Sequence, residues 1–291
     1  MAVVIAGPTG VGKSDLALRL AENLRGEIIN FDSIQLYRGF DIGSAKPTPQ
    51  MRARVPHHLL DVLDATEEFN AAEYARVARP LVDRIAMPIL VGGTFFYLRA
   101  LLSGLPEMPA RDVELRARLR KIPLARQYRW LQKVDEESAK AIAPGDRHRL
   151  ERALEVWIKS GRPISSWKRP VSEDDAVKIA LTLERGELSA RLDARVEDMY
   201  RRGLVEETRA LLDRYPKSAR PFTSIGYREA VAVIDGTMTI EDAMRETRRR
   251  TRAYSKRQMT WLRSERNVHW VAAADREKAF EAARRLIEGE R

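Results

Sequence analysis

The segment Gly7-Pro8-Thr9-Gly10-Val11-Gly12-Lys13-Ser14 constrains this chain more than any other part of it. It fits G-x-x-x-x-G-K-[ST], follows the apolar run Ala2 to Ala6, and precedes Leu16, Ala17, Leu20, Ala21 and Leu24, which share one helical face. Strand, glycine-rich turn and helix in that order make an anion cradle. The glycines let backbone N–H groups close around phosphate oxygens, the helix start adds partial positive charge, and Lys13 adds a full one. Residues Gly7 to Ser14 are therefore expected to bind a polyphosphate, with Ser14 as a ligand to Mg²⁺. The motif does not say which polyphosphate, because nucleotide-binding and ATP-binding loops share it.

Further strand candidates are Glu27 to Phe31, His58 to Val62, Ile89 to Val91, Val177 to Leu183 and Val268 to Val271, mostly separated by helical patterns. Alternation of this kind predicts an α/β fold, a P-loop NTPase-like parallel sheet flanked by helices. Between Pro106 and Pro144 the strand signals stop, and Pro109 and Pro123 break a charged helical stretch, which reads as a helical insertion over residues 106–144. Residues 1–105 and 145–291 then form the core. Its C-terminal part, from Leu188 to Arg266, is mostly helical and rich in arginine.

Composition narrows the function. Cysteine is absent and there are four scattered histidines, which excludes thiolate zinc sites and cysteine nucleophiles and leaves oxygen ligands for any metal. No apolar stretch is long enough to cross a bilayer, so a cytoplasmic protein with no membrane partner is expected. Lysine and arginine total 52 against 42 acids, a net charge of +10, much of it in arginine-rich stretches that suit a polyanion. Arg245, Arg249, Arg252 and Lys256 recur at helical spacing, and Arg248, Arg250 and Arg257 widen that stripe, with Glu246 the one acid between Arg245 and Arg257. Such a stripe suits nucleic-acid phosphates, with Tyr254 and Trp261 nearby for stacking.

Acids at strand ends are Asp32 and Asp61. Asp32 ends the strand after the loop helix, where it serves either as a metal ligand or as a base facing a second substrate; spacing alone leaves both open.

Five further segments carry a resemblance: Asp32-Ser33-Ile34-Gln35-Leu36-Tyr37-Arg38-Gly39 with Asp41-Ile42-Gly43-Ser44-Ala45-Lys46-Pro47; Pro56-His57-His58-Leu59-Leu60-Asp61; Gly92-Gly93-Thr94-Phe95-Phe96-Tyr97-Leu98; Gly226-Tyr227-Arg228-Glu229; and Thr251 to Trp261. In this order they closely resemble the tRNA dimethylallyltransferases of bacterial type, also called tRNA isopentenyltransferases, over nearly the whole chain. The resemblance implies transfer of a dimethylallyl group from dimethylallyl diphosphate to N6 of the adenine 3′ of the anticodon. Partners would be dimethylallyl diphosphate and the anticodon stem-loop of tRNA, with Mg²⁺ as cofactor and a monomer as the acting species. Asp32 becomes the carboxylate that accepts the N6 proton, with Ser33, Ile34 and Gln35 beside the same adenosine. Thr94 joins Lys13 and Asp32 in the catalytic set. His148, Arg149, Leu150, Glu151 and Arg152 correspond to a second tRNA-contacting stretch, and Arg252, Lys256 and Arg257 to the basic groove.

The chemistry agrees with that reading. An allylic diphosphate reacts by losing pyrophosphate, so negative charge builds on the leaving group, and a loop carrying Lys13 stabilises it without hydrolysing a nucleotide. The amine must shed a proton, so a carboxylate should meet it. Arg228 is the candidate second cation on the diphosphate, because an arginine fork suits phosphate oxygens. Departures from the family pattern are Ser44 in place of threonine, Glu136 after Asp135 where proline is common, and a short insertion. Competing readings are a P-loop nucleoside or small-molecule kinase, an adenylate isopentenyltransferase, and a non-catalytic RNA-binding protein whose loop holds a regulatory nucleotide.

Overall fold

A computed structural model describes residues 1–167 and 175–289. Its chain divides into two compact units, Met1–Leu102 with Glu173–Arg291, and Ser103–Ser172. The first unit is built on six parallel strands: β1 (Val3–Ala6), β2 (Glu27–Asn30), β3 (His57–His58), β4 (Pro88–Val91), β5 (Val177–Thr182) and β6 (Val268–Ala272). Their order across the sheet is β3-β2-β4-β1-β5-β6. All four residues of β1 are buried, as a strand covered on both faces requires. Each such Val or Ile contributes about 1.5–3 kcal/mol.

Helices α1 (Lys13–Leu24), α2 (Pro49–Arg54), α3 (Ala71–Arg84) and α4 (Phe95–Ser103) belong to the first part of this unit. In the second unit lie α5 (Val113–Arg120), α6 (Leu124–Val134), α7 (Glu136–Ala141) and α8 (Arg147–Ser160). The first unit resumes with α9 (Arg185–Arg201), α10 (Leu204–Leu212), α11 (Tyr227–Ile234), α12 (Ile240–Leu262) and α13 (Arg276–Gly289). Helix α13 lies along α1: Ala279, Phe280, Ala283 and Ile287 share one core with Leu16, Ala17 and Leu20. At the rim Arg19 stacks on Phe280 and pairs with Glu277, while Arg276 pairs with Asp15.

Two sequence expectations change here. The strand expected over His58 to Val62 is two residues long, because Leu59 and Asp61 take φ of 59° and 54°, which turns the chain out of the sheet. The helical unit also runs well past the expected end at residue 144. Helix α8 places Leu150, Ala153 and Leu154 in one core with Leu119, Leu131 and Ala139, so Pro144 marks a turn inside the unit and not its boundary. Glu136, the departure from proline, is the first residue of α7, with Asp135 as N-cap; proline is favoured there only because its missing N–H is not needed, so glutamate fits equally well.

Candidate active site

The phosphate loop leaves β1 between β4 and β5, where the strand order reverses and crevices open at the carboxyl ends of parallel strands. Gly7, Gly10 and Gly12 take φ of 143°, 79° and 106°. No side chain caps α1, so its first N–H groups face the loop. Lys13 Nζ donates to the carbonyls of Gly7 and Pro8 at 3.1 and 2.9 Å, which holds the ammonium over the loop, and Ser14 is exposed beside it.

Helix α9 closes over this loop. A Cβ on Gly10 would fall 2.6 Å from Leu192 Cδ2. One turn beyond Leu192 lies Arg195, close enough to act electrostatically on both Lys13 and Asp32. Burial and the Arg195 charge bring the Lys13 pKa down to about 7, while Asp32 opposes the shift. Burial likewise lowers Arg195, again with Asp32 opposing. Arg195 was missed in the sequence, although it adjoins the apolar face formed by Leu188, Leu192, Val196 and Met199. A cation at the edge of a buried stripe is the signal that could have found it.

Asp32 follows β2. Its Oδ1 accepts the N–H of Ile34 at 2.9 Å, and its own N–H donates to Asn30 Oδ1 at 2.9 Å, so the carboxylate is fixed with Oδ2 turned toward Gly93. Thr94 follows β4. Its hydroxyl accepts from Ser33 N–H at 3.0 Å and donates to Ser33 Oγ at 3.1 Å, which joins the two strand ends. Gly92 has no room for a side chain, since a Cβ would lie 2.5 Å from the Phe31 carbonyl carbon. Asp61, the other strand-end acid, is committed elsewhere. Burial alone would raise its pKa, but its bonds to Lys46 and Arg52, both at 2.6 Å, hold it below the usual carboxylate range.

Gln35 is placed by the turn that follows it. Its Nε2 donates to the carbonyls of Ser44 and Ala45 at 3.1 and 3.3 Å, which leaves Oε1 as the free polar atom. That turn is clamped in its place: Glu207 accepts the N–H of Ile42 at 2.9 Å and the Tyr227 hydroxyl at 2.6 Å, and the Tyr227 oxygen accepts Gly43 N–H at 3.2 Å. Ser44 keeps the role of a hydroxyl there by donating to Phe40 O at 2.6 Å.

A family model described as IPP transferase matches residues 35–265, and one described as isopentenyl transferase matches residues 1–61. The chain belongs to the tRNA isopentenyltransferase family. Among its relatives, the tRNA dimethylallyltransferase 1 of Citrifermentans bemidjiense is 46% identical over 278 residues, covering 92% of this chain and 91% of the relative. The tRNA dimethylallyltransferase of Geobacter sulfurreducens is 42% identical, with coverage of 92% and 91%. A solved structure of the full-length tRNA isopentenylpyrophosphate transferase of Bacillus halodurans superposes with a TM-score of 0.76 at 36% identity, covering 99% and 96% of the two chains. A eukaryotic dimethylallyltransferase captured acting on tRNA gives a TM-score of 0.82 at 28% identity, covering 99% of this chain and 80% of that one.

Several sequence-predicted contacts fall differently from expectation. Arg228 is exposed at the start of α11, and no hydrogen bond or ion pair among the described residues joins it to the loop. Of the second stretch, His148 and Arg149 are exposed, but Leu150 is buried in the core of its unit. Glu151 is buried between Arg120 and Arg147, and Arg152 pairs with Glu155 at 2.6 Å and donates to Pro109 O at 2.9 Å. Trp261 is not free to stack on a base. Phe95 lies parallel to it at 4.6 Å, and Arg99 caps it at 4.3 Å.

Helix α12 carries the predicted basic stripe, but the local count of one opposing acid was misleading. Five of its seven cations are ion-paired: Arg245 with Asp242, Arg248 with Glu197, Arg249 with Glu246, Arg250 with Glu229 and Glu246, and Arg252 with Asp193. Asp193 and Glu197 come from α9, which packs along α12. Lys256 and Arg257 are exposed and have no carboxylate partner among the described residues.

Proposed function

We propose that this chain transfers the dimethylallyl group of dimethylallyl diphosphate to N6 of the adenine 3′ of a tRNA anticodon, releasing pyrophosphate. The observation that carries the reading is the Oδ2 of Asp32, which takes no hydrogen bond among the described residues and is held at the end of β2 within electrostatic reach of Lys13 in the phosphate loop and Arg195 on α9. Lys13, Arg195 and the start of α1 bind the diphosphate and stabilise the charge that grows on it as the allylic C–O bond breaks. The N6 lone pair forms the new C–N bond, and the N6 proton passes to Asp32 Oδ2. With its Nε2 committed to Ser44 and Ala45, Gln35 would offer Oε1 as a second acceptor to that amino group, so a base with a keto oxygen there would meet two acceptors and be refused.

No group of three or more His, Cys, Asp or Glu side chains able to cage a metal occurs among the described residues. Ser14, exposed at the start of α1 beside the loop, offers an oxygen donor that fits Mg²⁺ held mainly by phosphate oxygens. When bound there, the ion would withdraw charge from the departing pyrophosphate.

Incubation with labelled dimethylallyl diphosphate and tRNA, followed by nucleoside analysis, should yield N6-dimethylallyladenosine, with no product from AMP. Consumption of ATP with an acceptor, while the allylic diphosphate stays unreacted, would overturn the reading. The RNA interface is separately testable. Binding to tRNA should weaken linearly in log K against log salt, and Lys256→Ala or Arg257→Ala should each reduce the slope by about 0.7–0.9. Arg249→Ala should change it less, because that guanidinium is already neutralised by Glu246.

A further inference from the structure

The reaction joins two substrates held by different strand ends, and the distance between those ends decides whether the reacting atoms meet. Gln258 of α12 spans that distance. It is 3% exposed; its Oε1 accepts the N–H of Thr9 in the phosphate loop at 2.7 Å, and its Nε2 donates to the carbonyl of Gly93 in the turn before Thr94 at 3.2 Å. One turn earlier, the Tyr254 hydroxyl donates to the same Gly93 carbonyl at 2.8 Å. A Cβ on Gly93 would lie 2.6 Å from Gln258 Nε2, 3.2 Å from Tyr254 Oη and 3.4 Å from Asp32 Oδ2, so three polar atoms converge on this one glycine.

We propose that Gln258 is a positioning residue that sets the separation between the phosphate loop and the turn carrying Thr94, whose hydroxyl ties that turn to the strand end of Asp32. This rests on the transfer reaction proposed above. The amide suits the task because it must accept at one end and donate at the other: glutamate lacks the donor, methionine lacks both, and asparagine is one methylene short. Both bonds end on backbone groups of the protein. Their effect is on geometry, since near-attack placement requires about 3–3.5 Å between reacting atoms and a 1 Å error can cost about 10²-fold.

Gln258→Met keeps nearly the same volume and removes both bonds. Under single-turnover conditions with saturating dimethylallyl diphosphate and tRNA, its rate constant should fall about 30- to 100-fold, with the KM for each substrate within about 3-fold of wild type. Tyr254→Phe, which removes one of the two donors to Gly93, should slow the step about 3- to 10-fold. A role confined to holding the fold would lower the reaction amplitude, through a smaller active fraction, and leave the rate constant unchanged. That result, or a fall seen only in KM, overturns the proposal. Should Gln258→Met fail to fold, Gln258→Glu, which keeps the acceptor for Thr9 and loses only the donor to Gly93, is judged by the same rate constant. Wild-type protein inert toward dimethylallyl diphosphate would instead sink the transfer reaction itself, so the two failures are distinguishable.

Discussion

Asp32→Asn should slow prenyl transfer by about 10²- to 10⁴-fold while leaving tRNA affinity within about 3-fold. Asparagine keeps the size of the side chain and the oxygen that accepts Ile34 N–H, so the strand end stays in place. What it loses is the basic Oδ2 and a negative charge. The first loss leaves the N6 proton without an acceptor. The second removes the charge that supports protonated Lys13, so the KM for dimethylallyl diphosphate should also rise modestly above neutral pH. Single-turnover rates and filter binding of labelled tRNA measure the two effects separately. Turnover at the wild-type rate would refute the role of Asp32 as base.

Lys13→Met should lower transfer by about 10²- to 10³-fold and weaken dimethylallyl diphosphate together with it, because the ammonium binds the ground state and also meets the charge of the departing pyrophosphate. The lysine also writes a pH signature. With a pKa of about 7, it is charged below neutrality and neutral above, and the charged form is the one that binds the anion. The KM for the diphosphate should therefore be flat on the acid side and rise by up to about tenfold per pH unit on the alkaline side. It should level off once pH passes the higher pKa of the lysine in the complex. Lys13→Met should flatten this profile between pH 7 and 9; an unchanged profile would assign the titration to another group.

What could be read without coordinates was local. The phosphate loop, the strand before it and the helix after it are written in consecutive residues, and the placement of Asp32 and Thr94 at the ends of β2 and β4 follows from parallel alternation. What escaped was long-range. Arg195 looked like one arginine among many until Leu192 was seen to rest on Gly10. The basic stripe seemed nearly unopposed because Asp193 and Glu197 lie about fifty residues upstream and reach it only through helix packing. Trp261 offered itself for base stacking, yet its partner Phe95 lies far upstream, at the start of α4. The truncated β3 depends on a leucine and an aspartate in the left-handed region, which no periodicity reveals. Gln258 lies inside the Thr251 to Trp261 segment that carries the resemblance, but nothing local marks a glutamine that bonds two distant backbone groups.

The packing of α13 along α1 orders events during synthesis. Residues 7–14 leave the ribosome long before residues 280–287, so the apolar face of the helix they open stays bare until Phe280 and Ile287 have been made. Strands β5 and β6, on one side of β1, also arrive late. A nascent chain thus carries its phosphate loop for most of its translation without the support that shapes it, and contacts of such long sequence separation form slowly. The phosphate loop is thus synthesised well before the strands and the helix that complete its surroundings.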